Sequence, residues 1–147
     1  MSPETDQIIQ KSLEACALAG VKLTNKRKNV LIVLLSSVRP LSAYEIFERY
    51  KAQFNESVPV MSVYRMLDFL IREKLVHKLE TANQYIACAH ITCNHQHETP
   101  QFLICDNCNI VKEIGIKKNI MAKLKSEGKC IYCKKMYSFY LSYYFLS

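Results

Sequence analysis

Hydrophobic residues in the first eighty positions recur at the spacing of amphipathic helices. The first such stretch ends at Gly20, and the second follows Thr24, a residue type that caps helix N-termini. The third starts at Ser42, with Glu45 following at the spacing of a capping box. A fourth stretch follows Ser62, which is predicted to cap it. The first half of the chain is therefore predicted to form helices.

Beyond the fourth helix the pattern changes to short segments rich in β-forming residues. VHKLE (76–80) and QYIAC (84–88) are joined by a polar turn, which predicts a β-hairpin. Several helices followed by a hairpin is the order of a winged helix-turn-helix, whose fourth helix would enter the major groove of DNA.

The rest of the chain has mixed αβ character. QFLIC and NIVKEI predict two strands, residues 116–128 predict an amphipathic helix, and the C-terminal tail is aromatic and β-prone. The predicted fold class is α+β, with an N-terminal winged helix-turn-helix DNA-binding domain over residues 1–83. A small α/β domain over residues 84–147 follows it.

Two Cys-x-x-Cys pairs lie in the second half, with 21 residues (109–129) between them. A tetrahedral zinc ion takes four thiolates from two such knuckles and then has no open position for catalysis. The spacing therefore predicts a structural zinc site formed by Cys105, Cys108, Cys130 and Cys133. A redox role for either pair is the alternative, but the surrounding pattern is not that of a thioredoxin-like motif.

A second, mixed set of possible metal ligands comes earlier: His77, Cys88, His90, Cys93, His95 and His97, with Glu113 following the first knuckle. His77 lies on the first hairpin strand and Cys88 at the end of the second, so the two can be close across the hairpin. Two imidazoles, a thiolate and a carboxylate suit tetrahedral zinc better than iron. Alternatively, a single histidine in a wing contacts phosphate or is an ordinary surface residue.

On the winged-helix interpretation, the exposed N-terminal face of the fourth helix carries Ser62, Tyr64 and Arg65, where base edges and phosphates are reached. Arg27, with Lys26 and Lys28, would flank this helix on the phosphate backbone. The alternative is an ordinary solvated basic face.

Composition and charge agree with a globular protein that binds a polyanion. The 147 residues carry a formal charge of +7, with a pI of about 9.0. Seven cysteines, a start without signal-peptide character and no apolar run of membrane-spanning length predict a reduced, cytoplasmic protein without a membrane segment.

An enzymatic interpretation fails on motif geometry. Zinc deaminases carry His-x-Glu and Pro-Cys-x-x-Cys, whereas here His97 and Glu98 are adjacent and Ile104 precedes the knuckle. We therefore predict no enzymatic activity and no small-molecule substrate.

Five segments together resemble the ferric uptake regulator family, and its zinc-sensing branch most closely: LTNKR (23–27), SAYEIFERY (42–50), SVYRMLDFLIREKLVHKLE (62–80), QYIAC (84–88) and FLICDNCNIVKE (102–113). The resemblance implies a homodimeric, zinc-responsive repressor of zinc uptake genes that binds double-stranded operator DNA, with residues 84–147 as its metal-binding dimerisation domain. An iron- or peroxide-sensing regulator of the same family, or a zinc-stabilised interaction module that does not bind DNA, are the alternatives.

The resemblance also implies roles for individual residues. The structural zinc would be held by Cys105, Cys108, Cys130 and Cys133, and a regulatory zinc by His77, Cys88, Glu113 and His97, with His95 as the alternate. Tyr64 and Arg65 match DNA-contacting positions, and Arg27 matches a backbone-contacting one. Ser62 stands where the family usually has threonine. The chain departs from the family in the short stretch between its knuckles and in its C-terminal tail, which lacks the family's strand pattern.

Overall fold

The structure, a computed structural model, describes residues 2–80, 82–89, 91, 100–105, 107–115 and 138–140. It divides into two compact units, Met1–Cys93 and Asn94–Ser147. The elements of the first unit are α1 (Pro3–Leu18), α2 (Asn25–Leu35), α3 (Ala43–Phe54), α4 (Val60–Arg72), β1 (Val76–Leu79) and β2 (Gln84–Ala87). The described elements of the second are β3 (Pro100–Ile104), β4 (Val111–Gly115) and β5 (Ser138–Tyr140).

Local capping chemistry sets the starts of α2 and α3 as the sequence predicts. The Thr24 hydroxyl accepts a hydrogen bond from the backbone N–H of Arg27 at 3.4 Å. Ser42 and Glu45 form the full capping box, because each side chain accepts a bond from the other residue's backbone N–H, at 3.2 and 2.8 Å. Both predicted caps are confirmed.

The predicted start of α4 is wrong by three residues, almost one helical turn. The helix begins at Val60, and Pro59 occupies the N-cap position without a side-chain hydrogen bond. Ser62 lies inside the first turn, where its backbone N–H donates to the Pro59 carbonyl at 2.9 Å. Pro59 has φ −60° and ψ 142°, the extended conformation usual for an N-cap residue, and the helix therefore begins before Ser62.

The core of the first unit is built around α2. This helix has a run of five buried residues, Val30 to Leu34, so it is apolar on all sides over this length and must be surrounded by other elements. Ile46 of α3 and Leu67 of α4 are also fully buried and belong to the same cluster. Cys16 of α1 is 2% exposed and packs as a small apolar residue, as its sequence position suggests.

The hairpin β1–β2 is antiparallel, with Val76 opposite Ala87 and Leu79 opposite Gln84. Leu41, in the segment before α3, adds a third partner. It exchanges two backbone hydrogen bonds with Tyr85, at 3.0 and 2.7 Å. Helices followed by this hairpin form the predicted winged helix-turn-helix, in which α3 and α4 are the helix-turn-helix pair.

The second unit contains an antiparallel sheet in the order β4–β3–β5. Strands β3 and β4 correspond to the two segments that flank the first knuckle, so that prediction is confirmed. The aromatic tail supplies β5, which pairs with β3 in a register that places Phe102 opposite Tyr140. The helix predicted over residues 116–128 lies outside the described residues.

The two units meet later in the sequence than the predicted boundary after residue 83. The reason is that β2 pairs with β1 and with Leu41, so the whole hairpin belongs to the first unit. The α+β fold with an N-terminal winged helix is confirmed. Within the described part of the chain, no helix combines the length and apolar content needed to cross a bilayer.

A polar cluster connects the turn after α3 to the start of α2. The Tyr50 hydroxyl donates to a Glu56 carboxylate oxygen at 2.9 Å, and the Lys26 ammonium lies 3.1 Å from the other oxygen. The contact with Lys26, followed by that with Tyr50, lowers the pKa of the Glu56 carboxyl. Burial, and then the bond to Glu56, raise the pKa of the Tyr50 hydroxyl. Glu56 thus fixes the position of one cation at the α2 terminus.

The Ser42→Ala variant should lose about 1 kcal/mol of unfolding free energy, because the Glu45 backbone N–H loses its acceptor. Urea unfolding followed by circular dichroism measures this. The matched control is Ser57→Ala in the exposed turn before α4, which should change stability by less than about 0.5 kcal/mol. Equal effects of the two substitutions would contradict the role of the capping box.

The Glu56→Gln variant should show a weaker dependence of stability on acid than the wild type. Because folding lowers the pKa of Glu56, its contribution is present above the ordinary glutamate pKa and is lost as pH falls through the folded value. Thermal unfolding from pH 7 down to about pH 3 tests this. Glu48→Gln, at an exposed position on α3, is the control and should retain the wild-type profile.

Candidate nucleic-acid interface and metal site

The N-terminal half of α4 presents the residues that the sequence predicts for DNA contact. Tyr64 and Arg65 are exposed on it, and Ser62 is half-buried at its first turn. The opposite face, with Val63 and Leu67, is fully buried in the core. The helix is therefore held by one side while the other remains open to a groove.

A cleft of about 260 Å³ lies between the start of α2 and the start of α4. Three of its lining side chains are cations: Lys26, Arg27 and Arg65. Its remaining lining residues are Thr24, Val58, Pro59, Ser62 and Met66. Converging positive charge beside an exposed helix is the arrangement that attracts a phosphate backbone.

Arg27 is positioned by contacts within the first unit. Its guanidinium carbon lies 3.8 Å from the centroid of the Phe69 ring, a cation–π contact. Its Nη1 donates to the Lys22 carbonyl oxygen at 2.8 Å. Arg72 approaches the Phe69 ring less closely, at 5.7 Å. The predicted backbone-contacting residue thus links α2 to α4 and has a fixed orientation.

His77 and Cys88 lie together on the hairpin. Cys88 directly follows β2, and its backbone N–H donates to the Leu75 carbonyl at 2.9 Å, which extends the register by one pair. Leu75 directly precedes β1, and His77 lies two residues after it, so the side chains of His77 and Cys88 are diagonal neighbours on one face. A ring nitrogen of His77 and the Cys88 sulfur are within 4.8 Å of each other. The predicted cross-hairpin proximity is therefore present.

This pair fits a zinc ion. Tetrahedral bond lengths place an imidazole nitrogen and a thiolate sulfur on one zinc roughly 3.5 Å apart, and the upper bound of 4.8 Å on the distance between the two ligand atoms is compatible with that value. Cys88 is buried and His77 is half-buried, so a bound cation would be partly shielded from water. Nitrogen and sulfur donors favour zinc over hard, oxygen-preferring cations.

The first knuckle of the second unit is a tight turn between β3 and β4. Cys105 is fully buried, and Cys108 is half-buried. The Cys105 N–H donates to the Ile110 carbonyl at 2.9 Å, and the Asn109 N–H donates to the Cys105 carbonyl at 2.8 Å. Asn109 has φ 58°, a left-handed conformation that asparagine tolerates well and that closes the turn. Glu113 lies on β4 opposite Phe102.

Several predicted ligands lie outside the described residues: Cys130, Cys133, His95 and His97, with His90 and Cys93. The ion pair between Glu56 and Lys26 of the cleft was not predicted from the sequence. A single acidic residue in a turn gives no periodic signal, and its link to Lys26 joins positions thirty residues apart, so only the folded chain reveals it.

This chain is similar to known proteins both in sequence and in fold. Residues 18–138 match the ferric uptake regulator family. The zinc uptake regulation protein of Escherichia coli strain K12 is 34% identical over 109 residues, which is 74% of this chain and 62% of that protein. The corresponding protein of Shigella flexneri matches equally. The chain thus spans less than two thirds of the length of these relatives.

Solved structures also share the fold. A zinc uptake regulator complexed with zinc and DNA has a TM-score of 0.72 at 29% identity, covering 86% of this chain and 83% of its own. Holo XcZur has a TM-score of 0.64 at 32% identity, with 83% and 82% covered. The family match extends over most of the sequence and both units contribute to it. The chain belongs to the ferric uptake regulator family.

Proposed function

We propose that this protein is a zinc-responsive repressor that binds the operators of zinc uptake genes as a homodimer in the cytoplasm. The observation that carries the proposal is the pairing of His77 and Cys88 on the wing of a DNA-binding fold. Support comes from relatives named for zinc uptake regulation and from a relative solved with both zinc and DNA.

DNA recognition is assigned to α4 and the cleft beside it. Arg65 and Tyr64 would contact base edges in the major groove, and Ser62 would lie at the point of entry. Arg27 and Lys26 would neutralise phosphates, which supply most of the affinity but no sequence information. The division agrees with the geometry, since Arg27 is fixed by Phe69 whereas Arg65 is exposed.

Two zinc sites are assigned. The structural one would take Cys105, Cys108, Cys130 and Cys133, and the buried thiol of Cys105 in a tight turn suits a site that stabilises the second unit. The regulatory one would take His77 and Cys88 from the wing, with Glu113 and His97 completing it and His95 as the alternate histidine. Cys88 must lose a proton to bind the metal, so zinc affinity should fall with pH.

The proposed regulation is a restriction of the angle between the two units. Zinc would supply a cross-link between ligands on the wing and ligands on the second unit. In a dimer, this angle would determine the separation of the two α4 helices, which must match half-sites about one helical turn apart. Apo protein would bind operator less tightly, because its two units would adopt the angle that fits the operator for only a fraction of the time. By linkage, operator DNA should raise zinc affinity by the same factor.

Replacing Cys88 with alanine should reduce zinc affinity at the regulatory site by more than about tenfold and remove zinc-dependent operator binding. Cys16→Ala is the matched control, because both cysteines are buried to the same degree while Cys16 lies in the helical core. The assay is fluorescence anisotropy of DNA from the region upstream of the gene, with buffered zinc, with a chelator, and with Fe²⁺ or Mn²⁺ in its place. Undiminished zinc dependence in Cys88→Ala would exclude this regulatory site, and activation by Fe²⁺ alone would favour an iron sensor.

The Arg65→Ala variant should lose about 1–3 kcal/mol of binding free energy on operator DNA and little on random DNA. Lys26→Ala should instead weaken binding to operator and to random DNA equally. It should also reduce the slope of log affinity against log salt concentration by the contribution of about one phosphate contact. Binding isotherms at several salt concentrations on both duplexes separate these effects. Equal losses on both DNAs for Arg65→Ala would mean that Arg65 contacts phosphate only.

A further inference from the structure

The exposed face of α4 carries an aliphatic side chain that the fold does not use. Met61 is 66% exposed. The neighbouring aliphatic residues Val63, Met66 and Leu67 are all buried in the core of the first unit. A mostly exposed methionine on a helix whose other large aliphatic side chains pack inward contributes little to folding. Its surface is therefore available to a partner.

The position of Met61 on the helix is specific. It lies in the first turn of α4, one turn before Arg65, so the two side chains are neighbours on one face. Tyr64, three residues on, borders the same patch and is 37% exposed. In helix-turn-helix proteins the N-terminal residues of the recognition helix are the ones that reach base edges. Met61 therefore lies where the proposed function places bases.

We propose that Met61 contacts the C5-methyl group of a thymine next to the base contacted by Arg65, and that this contact specifies one position of each half-site. The inference rests on the proposed function, because it requires α4 to enter the major groove.

The chemistry of the side chain selects this partner. A thioether donates no hydrogen bond and accepts only weakly, so phosphates and polar base edges gain little from it. The apolar feature of the major groove is the thymine methyl group. Three rotatable bonds allow methionine to follow that group. Removing one methyl group from such a contact should weaken binding by about fourfold.

The first experiment is selection of operators from a randomised duplex library by full-length, zinc-loaded protein. Wild type is compared with Met61→Ala and Met61→Leu. Leu18→Ala is the matched control, since Leu18 is 91% exposed but lies on α1. Wild type, Met61→Leu and the control should enrich the same motif. Met61→Ala should lose the preference for thymine at one position in each half-site and keep all others.

The second experiment replaces that thymine with uracil in one half-site of the selected duplex, which deletes only the methyl group. Wild type, Met61→Leu and Leu18→Ala should bind about fourfold more weakly to the uracil duplex. Met61→Ala should bind both duplexes equally. Thermal unfolding should be the same for Met61→Ala and wild type, because the side chain is exposed.

The outcomes separate this inference from the proposed function. If wild type enriches a motif but Met61→Ala enriches an identical one, or stays as sensitive to uracil as wild type, the contact by Met61 is excluded while DNA binding stands. If wild type with zinc enriches no motif, sequence-specific DNA binding itself is wrong, and the inference is overturned with it.

Discussion

The register of the wing hairpin is the constraint on which the rest depends. Side chains alternate between the two faces of a strand, so a slip of one residue would exchange the faces completely. The observed register places Val76 and Tyr85 against the helical core. His77 and Cys88 occupy the other face. The paired hydrogen bonds between Leu41 and Tyr85 resist such a slip from outside the hairpin. The two proposed metal ligands and a packing surface thus share one short hairpin.

The same hairpin contacts α4, the proposed recognition helix. Burial raises the pKa of the Tyr85 hydroxyl, and the nearby ionisable groups of Tyr64 and Asp68 on α4 raise it further. Tyr85 also belongs to the same buried cluster as Val63 and Leu67 of α4, while its backbone is fixed by Leu41. On its other side, α4 is fixed to α2 by the stacking of Arg27 on Phe69. The helix is therefore packed against other elements of the first unit on two sides.

Much of this fold could be predicted because its signals are local. Thr24, and the pair Ser42 and Glu45, show their helix starts within a few residues of sequence, and the hairpin follows from a change of hydrophobic period. The prediction that Ser62 caps α4 was wrong because the helix already begins after Pro59, whose carbonyl accepts the backbone N–H of Ser62. The ion pair of Lys26 and Glu56 was not predictable, since it depends on where two distant turns come together in space.

The hairpin pattern predicts that His77 and Cys88 lie close together, but it predicts nothing about the position of the other ligands. Both residues belong to the first unit, in which the core, the hairpin and α4 are already packed together. A metal bound by these two ligands alone would therefore change little in the structure. A ligand that binds two states equally shifts no equilibrium. Sensing therefore requires that the remaining ligands come from elements that can move relative to the wing. For this reason the proposed site needs Glu113 and a histidine of the second unit as signalling residues, as well as for a complete tetrahedron.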